Sequence, residues 1–128
     1  MSVSAGPVQK GIRKSIAPGA CLHTLSSHKP FVVEEMNFDG LVLLLGAHRS
    51  RTPISWDALE AVGDRLRGQG WVLVGGRYEV GGEEGTIDGI LKTYVNRATA
   101  RWVVAVLAKA SLVGVDTSRP LRAQWIQY

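Results

Sequence analysis

The stretch of residues 96–126, NRATARWVVAVLAKASLVGVDTSRPLRAQWI, constrains the fold more than any other part of the chain. Two short apolar runs, at 112–115 and 121–126, flank the segment DTSRP, which predicts a turn between two strands. Ahead of them we predict a helix over 96–111, with Asn96 as its N-cap residue. Its apolar residues follow the i, i+3, i+4 and i+7 spacing of one helix face. These residues are Val103, Val106, Leu107 and Ala110.

The composition is that of one ordinary globular domain. The chain has 128 residues, of which 45% are hydrophobic and 20% charged, and this length is enough to bury a single core. No apolar run approaches the roughly 20 residues that span a bilayer, and residues 1–20 lack the apolar segment of a secretory signal. A single cysteine, Cys21, excludes an internal disulfide. These features predict a cytoplasmic protein without a membrane partner.

Charge is distributed unevenly along the chain. Residues 1–20 hold three basic residues and no acid, and residues 96–128 hold five basic residues and one acid. Residues 21–95 hold seven basic and ten acidic residues, so the formal net charge of +4 comes from the two ends. Basic ends of this kind favour a polyanionic partner such as nucleic acid.

The N-terminal third is predicted to contain a flexible arm and a β-hairpin. Residues 1–20 are small, polar and interrupted by Gly and Pro, which predicts a flexible basic arm ahead of a single globular domain over 21–128. In the β-hairpin region, 21–52, the runs FVVEEMNF and LVLLLG flank Asp39 and Gly40, a pair that favours a two-residue type I′ turn. The LVLLL run is expected to be buried on both faces. Residues 21–25 can add a third strand, and residues 46–52 are expected to form a polar loop.

Residues 53–128 are predicted to contain three helices and a small sheet. The first helix begins at one of two caps, either Thr52 with Pro53 in the first turn, or Ser55. Gly68 and Gly70 are expected to end it. A short strand is expected at 71–74, with a hairpin partner at 77–80. The inward side chains of this first helix are Leu59, Val62 and Leu66.

The second and third helices are predicted to follow one another closely. Thr86 is expected to cap a second helix over 86–95, and the third helix starts only a residue or two later. On the third helix, Val104 and Ala108 are expected to lie on the outer face, opposite the apolar stripe.

The order of these elements (helix, strand, helix, helix, strand, turn and strand) resembles that of winged helix-turn-helix domains. The resemblance covers roughly residues 54–127, and RATARWVVAVLAKASLVGVDTSRPLRAQWI carries it most clearly. It implies an α+β fold in which an N-terminal β-hairpin precedes a winged-helix-like domain of three helices with a small antiparallel wing sheet. It also implies that the third helix lies in the major groove of double-stranded DNA.

The resemblance further implies which residues contact the DNA. Three lie at the start of the third helix, two in the wing, and two at the end of the second helix, where they would contact phosphates. The arginines among them suit guanine edges or phosphate oxygens, because the guanidinium group donates two parallel hydrogen bonds. The residues at the start of the third helix are Arg97, Thr99 and Arg101, those in the wing are Arg119 and Arg122, and those at the end of the second helix are Lys92 and Thr93.

Two other clusters contain side chains that can ligate metals. The first cluster, of one cysteine and three histidines, does not follow the spacing of standard zinc modules, so a structural or surface role is favoured. The second cluster, of four carboxylates, resembles the sites of magnesium-dependent nucleases, but its glycine-rich context favours a solvated loop. The sequence therefore predicts no catalytic residue, no metal and no cofactor. The clusters are Cys21, His23, His28 and His48, and Glu79, Glu83, Glu84 and Asp88.

These patterns predict a non-enzymatic, sequence-selective or general DNA-binding protein, a small bacterial or phage regulator that uses helix 96–111 and wing 112–127. A homodimer or another protein partner is compatible with this function, because one helix and one wing give modest affinity. The alternative is an interaction subunit of a larger complex, and a small metal-dependent nuclease is the least favoured. A partly exposed Trp102 or Trp125 would mark a dimer or partner surface.

Overall fold

The computed structural model describes residues 6–25, 28–74, 86–95, 99–117 and 121–126, and its fold is α+β, as expected. The helices are α1 (Pro7–Ser15), α2 (Trp56–Leu66), α3 (Ile87–Leu91) and α4 (Ala100–Lys109). The strands are β1 (Cys21–His23), β2 (Pro30–Met36), β3 (Gly40–Leu45), β4 (Ser50–Ser55), β5 (Val72–Leu73), β6 (Val113–Asp116) and β7 (Arg122–Trp125). The predicted hairpin partner at 77–80 lies outside the described residues.

The first four strands form an antiparallel sheet in the order β1-β2-β3-β4. Strand β3 is central, and every residue in it except Leu44 is buried, which confirms the burial expected for LVLLL. Its alternate residues Leu41, Leu43 and Leu45 belong to the main core, which also contains residues of all four helices. The sheet and the helices therefore share one core.

The turn between β2 and β3 differs from the predicted Asp-Gly turn. The side-chain oxygen of Asn37 accepts hydrogen bonds from the amides of Asp39 (2.8 Å) and Gly40 (3.1 Å), and Gly40 is already paired with Ser55 in β4. Neither Asp39 nor Gly40 has a positive φ, so the type I′ prediction is wrong. Glycine is needed at position 40 for another reason: a Cβ there would overlap the carbonyl oxygen of Ile54.

Residues 50–52, predicted to be loop, form the start of strand β4. Strand β4 is an edge strand, and its residue Pro53 pairs opposite Val42. An edge strand tolerates proline because one side of it needs no amide donors. The strand runs directly into α2, whose N-cap is Ser55, with its hydroxyl accepting from the amide of Ala58 at 3.1 Å. Of the two predicted caps, Ser55 is therefore the one used.

The predicted flexible arm is wrong for residues 7–15, which form helix α1. Val8 and Ile12, one turn apart, are fully buried, and burial of such side chains contributes about 1.5–3 kcal/mol each. The N-cap residue Gly6 has no side chain to cap the helix. Instead, the carboxylate of Glu60 on α2 accepts from the amides of Val8 (3.3 Å) and Gln9 (2.9 Å). The helix thus depends on tertiary contacts, which residues 1–20 alone do not reveal.

Two glycines allow α1 to approach its neighbours closely. A Cβ at Gly63 of α2 would lie 2.6 Å from a methyl carbon of Val8 and 3.4 Å from the ring of Trp125. A Cβ at Gly11 would lie 2.7 Å from a methyl carbon of Leu112, which follows α4. Helix α1 is therefore held against both α2 and the end of α4.

The second sheet is antiparallel and has the strand order β5-β7-β6, with α3 and α4 between β5 and β6 in the chain. Thr86 caps α3 as predicted, and its hydroxyl accepts from the amide of Gly89 at 2.9 Å. Helix α4 starts at Ala100 and has Thr99 as its N-cap residue, so the N-cap predicted at Asn96 is wrong. Residues 96–98 lie outside the described residues.

Substitution of Gly40 by alanine is expected to destabilise the protein by about 1–3 kcal/mol or more, because the added methyl group meets backbone atoms of β4 that cannot move without breaking the strand pairing. Gly114→Ala is the matched control. Gly114 is also a strand glycine, but a Cβ added there would make only an ordinary contact with Ile126 at 3.4 Å. Urea denaturation measures both free energies of unfolding. Equal, small changes for the two variants would contradict the close approach at Gly40.

Removal of the Glu60 carboxylate is expected to loosen α1. Glu60→Ala leaves two amides at the helix start without an acceptor, at a cost of about 1–2 kcal/mol, and the α1 amides should exchange with solvent faster. Asp57→Ala, at an exposed position in the first turn of the same helix α2, is the control and should leave exchange in α1 unchanged. Hydrogen-exchange mass spectrometry on residues 7–15 tests this, and identical exchange in all three proteins would refute the role of Glu60.

Candidate nucleic-acid interface

Helix α4 is surrounded by other elements on most of its circumference. It packs against α1, β1, α3 and β6. Its buried residues are Ala100, Val103, Val104, Ala105, Val106 and Leu107. The outward face of α4 is therefore narrow, and it consists of Arg101, Trp102, Ala108 and Lys109, all of which are partly or fully exposed.

The predicted outer position of Val104 is wrong. Val104 is fully buried, whereas Ala108 is partly exposed. The apolar pattern of α4 predicts one core-facing side. In the folded chain α1 and β1, which come from the N-terminal region, cover a second side of this helix.

Arg101 lies at the start of the outward face of α4. Its guanidinium carbon is 5.5 Å from the centroid of the Trp102 ring, within the range of a cation–π contact. The indole N–H of Trp102 is buried and has no acceptor among the described residues. The pair thus forms a partly covered, cationic and aromatic patch on the first turn of α4.

Thr99 is not available for contact with a nucleic acid. It is fully buried, and its hydroxyl has no hydrogen-bond partner among the residues that the structure describes. Its carbonyl oxygen accepts from the amides of Trp102 (3.1 Å) and Val103 (3.0 Å). Its role is to start the helix, so its predicted place on the exposed face is wrong.

The predicted residues at the end of α3 remain accessible. The ammonium nitrogen of Lys92 is 3.8 Å from a carboxylate oxygen of Asp88, and the Lys92 side chain is 42% exposed. Thr93 is exposed, and its hydroxyl donates to the carbonyl oxygen of Ile90 at 2.7 Å. Both side chains still reach solvent.

Arg122 lies on β7 in the second sheet. Its guanidinium nitrogen is 3.8 Å from a carboxylate oxygen of Asp116 in the neighbouring strand, and its side chain is 42% exposed. Ion pairs this exposed contribute about 0–1 kcal/mol, so a phosphate can replace the carboxylate at small cost. Arg97 and Arg119, also predicted to contact DNA, lie outside the described residues.

The sequence analysis did not place Lys109 on the outward face, and it considered Trp102 only as a dimer or partner surface if partly exposed, a condition that Trp102 and Trp125 both meet. A usable signal existed, because Ala108 and Lys109 follow Arg101 at i+7 and i+8, which places them on the same side of a helix.

The two candidate metal clusters have different settings. Cys21, His23, His28 and His48 are exposed, and Asp88 is fully buried near Lys92. Glu79, Glu83 and Glu84 lie outside the described residues. Within the described ranges, no three residues of the types His, Cys, Asp or Glu are grouped closely enough to hold a metal ion.

None of the described helices has the length and apolar character needed to cross a membrane. Comparisons with protein-family models, curated proteins and solved structures found no match.

The burial of Val104 can be tested with a pair of lysine substitutions. Val104→Lys is expected to destabilise the protein by about 3 kcal/mol or more, because it places an ammonium group in the core. Ala108→Lys should change stability by less than about 1 kcal/mol, since a cation in the last turn favours the helix dipole. Thermal or urea denaturation distinguishes the two positions. Equal tolerance of lysine at both would contradict the arrangement of α4.

Proposed function

We propose that this protein is a small, non-enzymatic DNA-binding regulator of bacterial or phage origin, which acts in the cytoplasm and binds double-stranded DNA through the outward face of α4, the end of α3 and the β6–β7 wing. One observation carries this proposal. The second sheet has the order β5-β7-β6, and α3 and α4 connect β5 to β6. This arrangement, preceded by α2, supports a winged helix-turn-helix domain that follows the antiparallel β1–β4 sheet.

The charge and size of the outward side chains of α4 support contact with a groove. The helix contains no acidic residue, and its cations are the partly exposed Arg101 near the start and the exposed Lys109 at the end. The partly exposed residues between them on this side are Trp102 and Ala108, and the small side chain of Ala108 permits close approach of the C-terminal half of the helix to a surface. A major groove about 12 Å wide admits a single helix. Base reading would be limited to the first turn, at Arg101, while Lys109 would contact phosphate.

Flanking contacts come from two partly exposed cations beside α4. Lys92 and Arg122 each lie 3.8 Å from one carboxylate and are nearly half exposed. Arg97 and Arg119 complete the proposed contact set. A protein with these few contacts is expected to bind as a homodimer on paired half-sites, because the second copy doubles the contacts.

Salt-dependent binding to duplex DNA tests the proposal. The Arg101→Ala/Lys109→Ala double variant should bind a fluorescent duplex more weakly than the unmodified protein. The slope of log affinity against log salt, measured between about 50 and 200 mM, should fall by about one per subunit, because the Lys109 phosphate contact is lost, whereas loss of the Arg101 base contact lowers the affinity with little effect on the slope. Fluorescence anisotropy measures both quantities.

The matched control is Lys29→Ala/Arg49→Ala, which removes the same charge at two exposed positions in the turns of the first sheet. It should leave the salt slope unchanged. A duplex affinity that falls equally in both double variants would indicate a general charge effect and reject α4 as the contact helix. Absence of duplex binding at low salt would reject the DNA-binding function itself.

A second candidate function, that of an interaction subunit, is favoured by the apolar side chains left at the surface near this region. Tyr94, after α3, is 51% exposed, and Trp71 and Ile126, at the second sheet, are 49% and 46% exposed. Aromatic side chains of this kind are enriched at protein interfaces. Stoichiometric co-purification with another protein, together with no duplex binding, would favour this function over the first.

A further inference from the structure

We propose that a cleft formed by α1, the ends of α2 and α4, and β7 is a binding site for a nucleotide, with its phosphate on α1 and its base against Trp125. The cleft has a volume of about 870 Å³, within the range of ligand sites. Its lining includes Lys10, Lys14, Arg67, Ser111, Leu112 and Trp125. None of the outward-facing residues of α4 lines it, so this site is separate from the proposed duplex interface.

The rim of the cleft on α1 is cationic. Lys10 and Lys14 are four residues apart and lie on one side of the helix, and both are exposed. Among the described residues, no carboxylate lies within 4 Å of either ammonium group, and the cleft lining contains no acid. A phosphate monoester carries a charge of about −1.5 to −2 at pH 7. The two lysines therefore match it in charge.

The opposite part of the cleft is aromatic and apolar. Trp125 is half-buried over Gly63, and the guanidinium carbon of Arg67 lies 5.3 Å from the centroid of its ring. Arg67 also forms an ion pair with Asp64, which holds it in place. Side chains of Ala110 and Leu112 continue this surface. A planar base with exposed apolar faces fits such a wall, because aromatic rings and guanidinium groups both stack on bases.

Ser111 gives the cleft a hydroxyl group at a conformational cost. It follows α4 with a φ of 59°, in the left-handed region where glycine is the usual residue. The amides of Ser111 and Leu112 bond to the carbonyls of Ala108 and Leu107, both at 3.0 Å, as in a Schellman motif. Glycine would satisfy the same bonds at lower strain. Its side chain lines the cleft, where a serine hydroxyl can donate a hydrogen bond to a phosphate oxygen or exchange hydrogen bonds with a ribose hydroxyl.

The anion is placed by the lysines and not by helix dipoles. Helices α2 and α4 end at the cleft, and helix C-termini carry partial negative charge. The partial negative charge at these ends favours hydrogen-bond donors, such as the exocyclic amino group of adenine. The geometry thus favours the phosphate beside α1 and an amino-bearing base beside α2 and α4.

The proposal is tested by isothermal titration calorimetry of the full chain with adenosine monophosphate, inorganic phosphate and an oligoadenylate of about ten nucleotides. The nucleotide should bind more tightly than inorganic phosphate, because the base adds contacts with Trp125. An oligonucleotide that binds about tenfold tighter than the mononucleotide would assign the site to a single strand of nucleic acid. Equal affinities would assign it to the free nucleotide.

Lys10→Glu/Lys14→Glu should lower nucleotide affinity by about tenfold or more, because attraction is replaced by repulsion. The matched control, Lys29→Glu/Arg49→Glu, makes the same charge change outside the cleft and should bind as the unmodified protein does. Trp125→Phe keeps an aromatic ring and should weaken the nucleotide severalfold while leaving phosphate binding unchanged. Circular dichroism verifies that each variant is folded.

Three results would overturn the proposal: no nucleotide binding at about 1 mM, equal affinities for phosphate and nucleotide, or equal losses in the two charge-reversed variants. None of them depends on the duplex interface. The Arg101→Ala/Lys109→Ala variant should retain full nucleotide affinity. Failure of the duplex proposal and failure of the cleft proposal are therefore distinguishable.

Discussion

The burial of α4 on most of its circumference is the constraint on which the rest of the structure depends. Elements from the N-terminal region, α1 and β1, cover one side of this helix, while α3 and β6 cover another. The two sheets share one hydrophobic core, because both contribute side chains to the cluster that contains the buried residues of α4. The same burial limits what α4 can offer a partner, since only the side of Arg101, Trp102, Ala108 and Lys109 reaches solvent.

The docking of α1 completes this arrangement, and it depends on small residues and one carboxylate. Gly63 and Gly11 remove the side chains that would separate α1 from α2 and from Leu112. Glu60 supplies the cap that Gly6 lacks. Because α1 is held in this way, Lys10 and Lys14 stand opposite Trp125 across a cleft instead of on a free segment.

The two proposed sites use similar chemistry for different geometries. The outward face of α4 is convex and narrow, with cations at its ends, and such a shape suits the groove of a duplex. The cleft is concave, and it combines two lysines with an aromatic wall, which suits a single nucleotide or an unpaired base. Charge alone favours a polyanion at both, whereas the shape of each surface distinguishes a duplex from a nucleotide.

Local patterns in the sequence determined several elements by themselves. The buried strand β3, the cap at Thr86 and the strands β6 and β7 follow from periodicity, side-chain oxygens and turn residues that act over a few positions, whereas the cap at Ser55 was one of two that the local pattern offered. Other features were decided only by the tertiary structure. Helix α1, the need for glycine at Gly40 and the burial of Val104 and Thr99 all depend on contacts between segments distant in the chain. Long-range packing leaves no local signal, because the residue that makes a helix cap, a clash or a covered face lies elsewhere in the sequence.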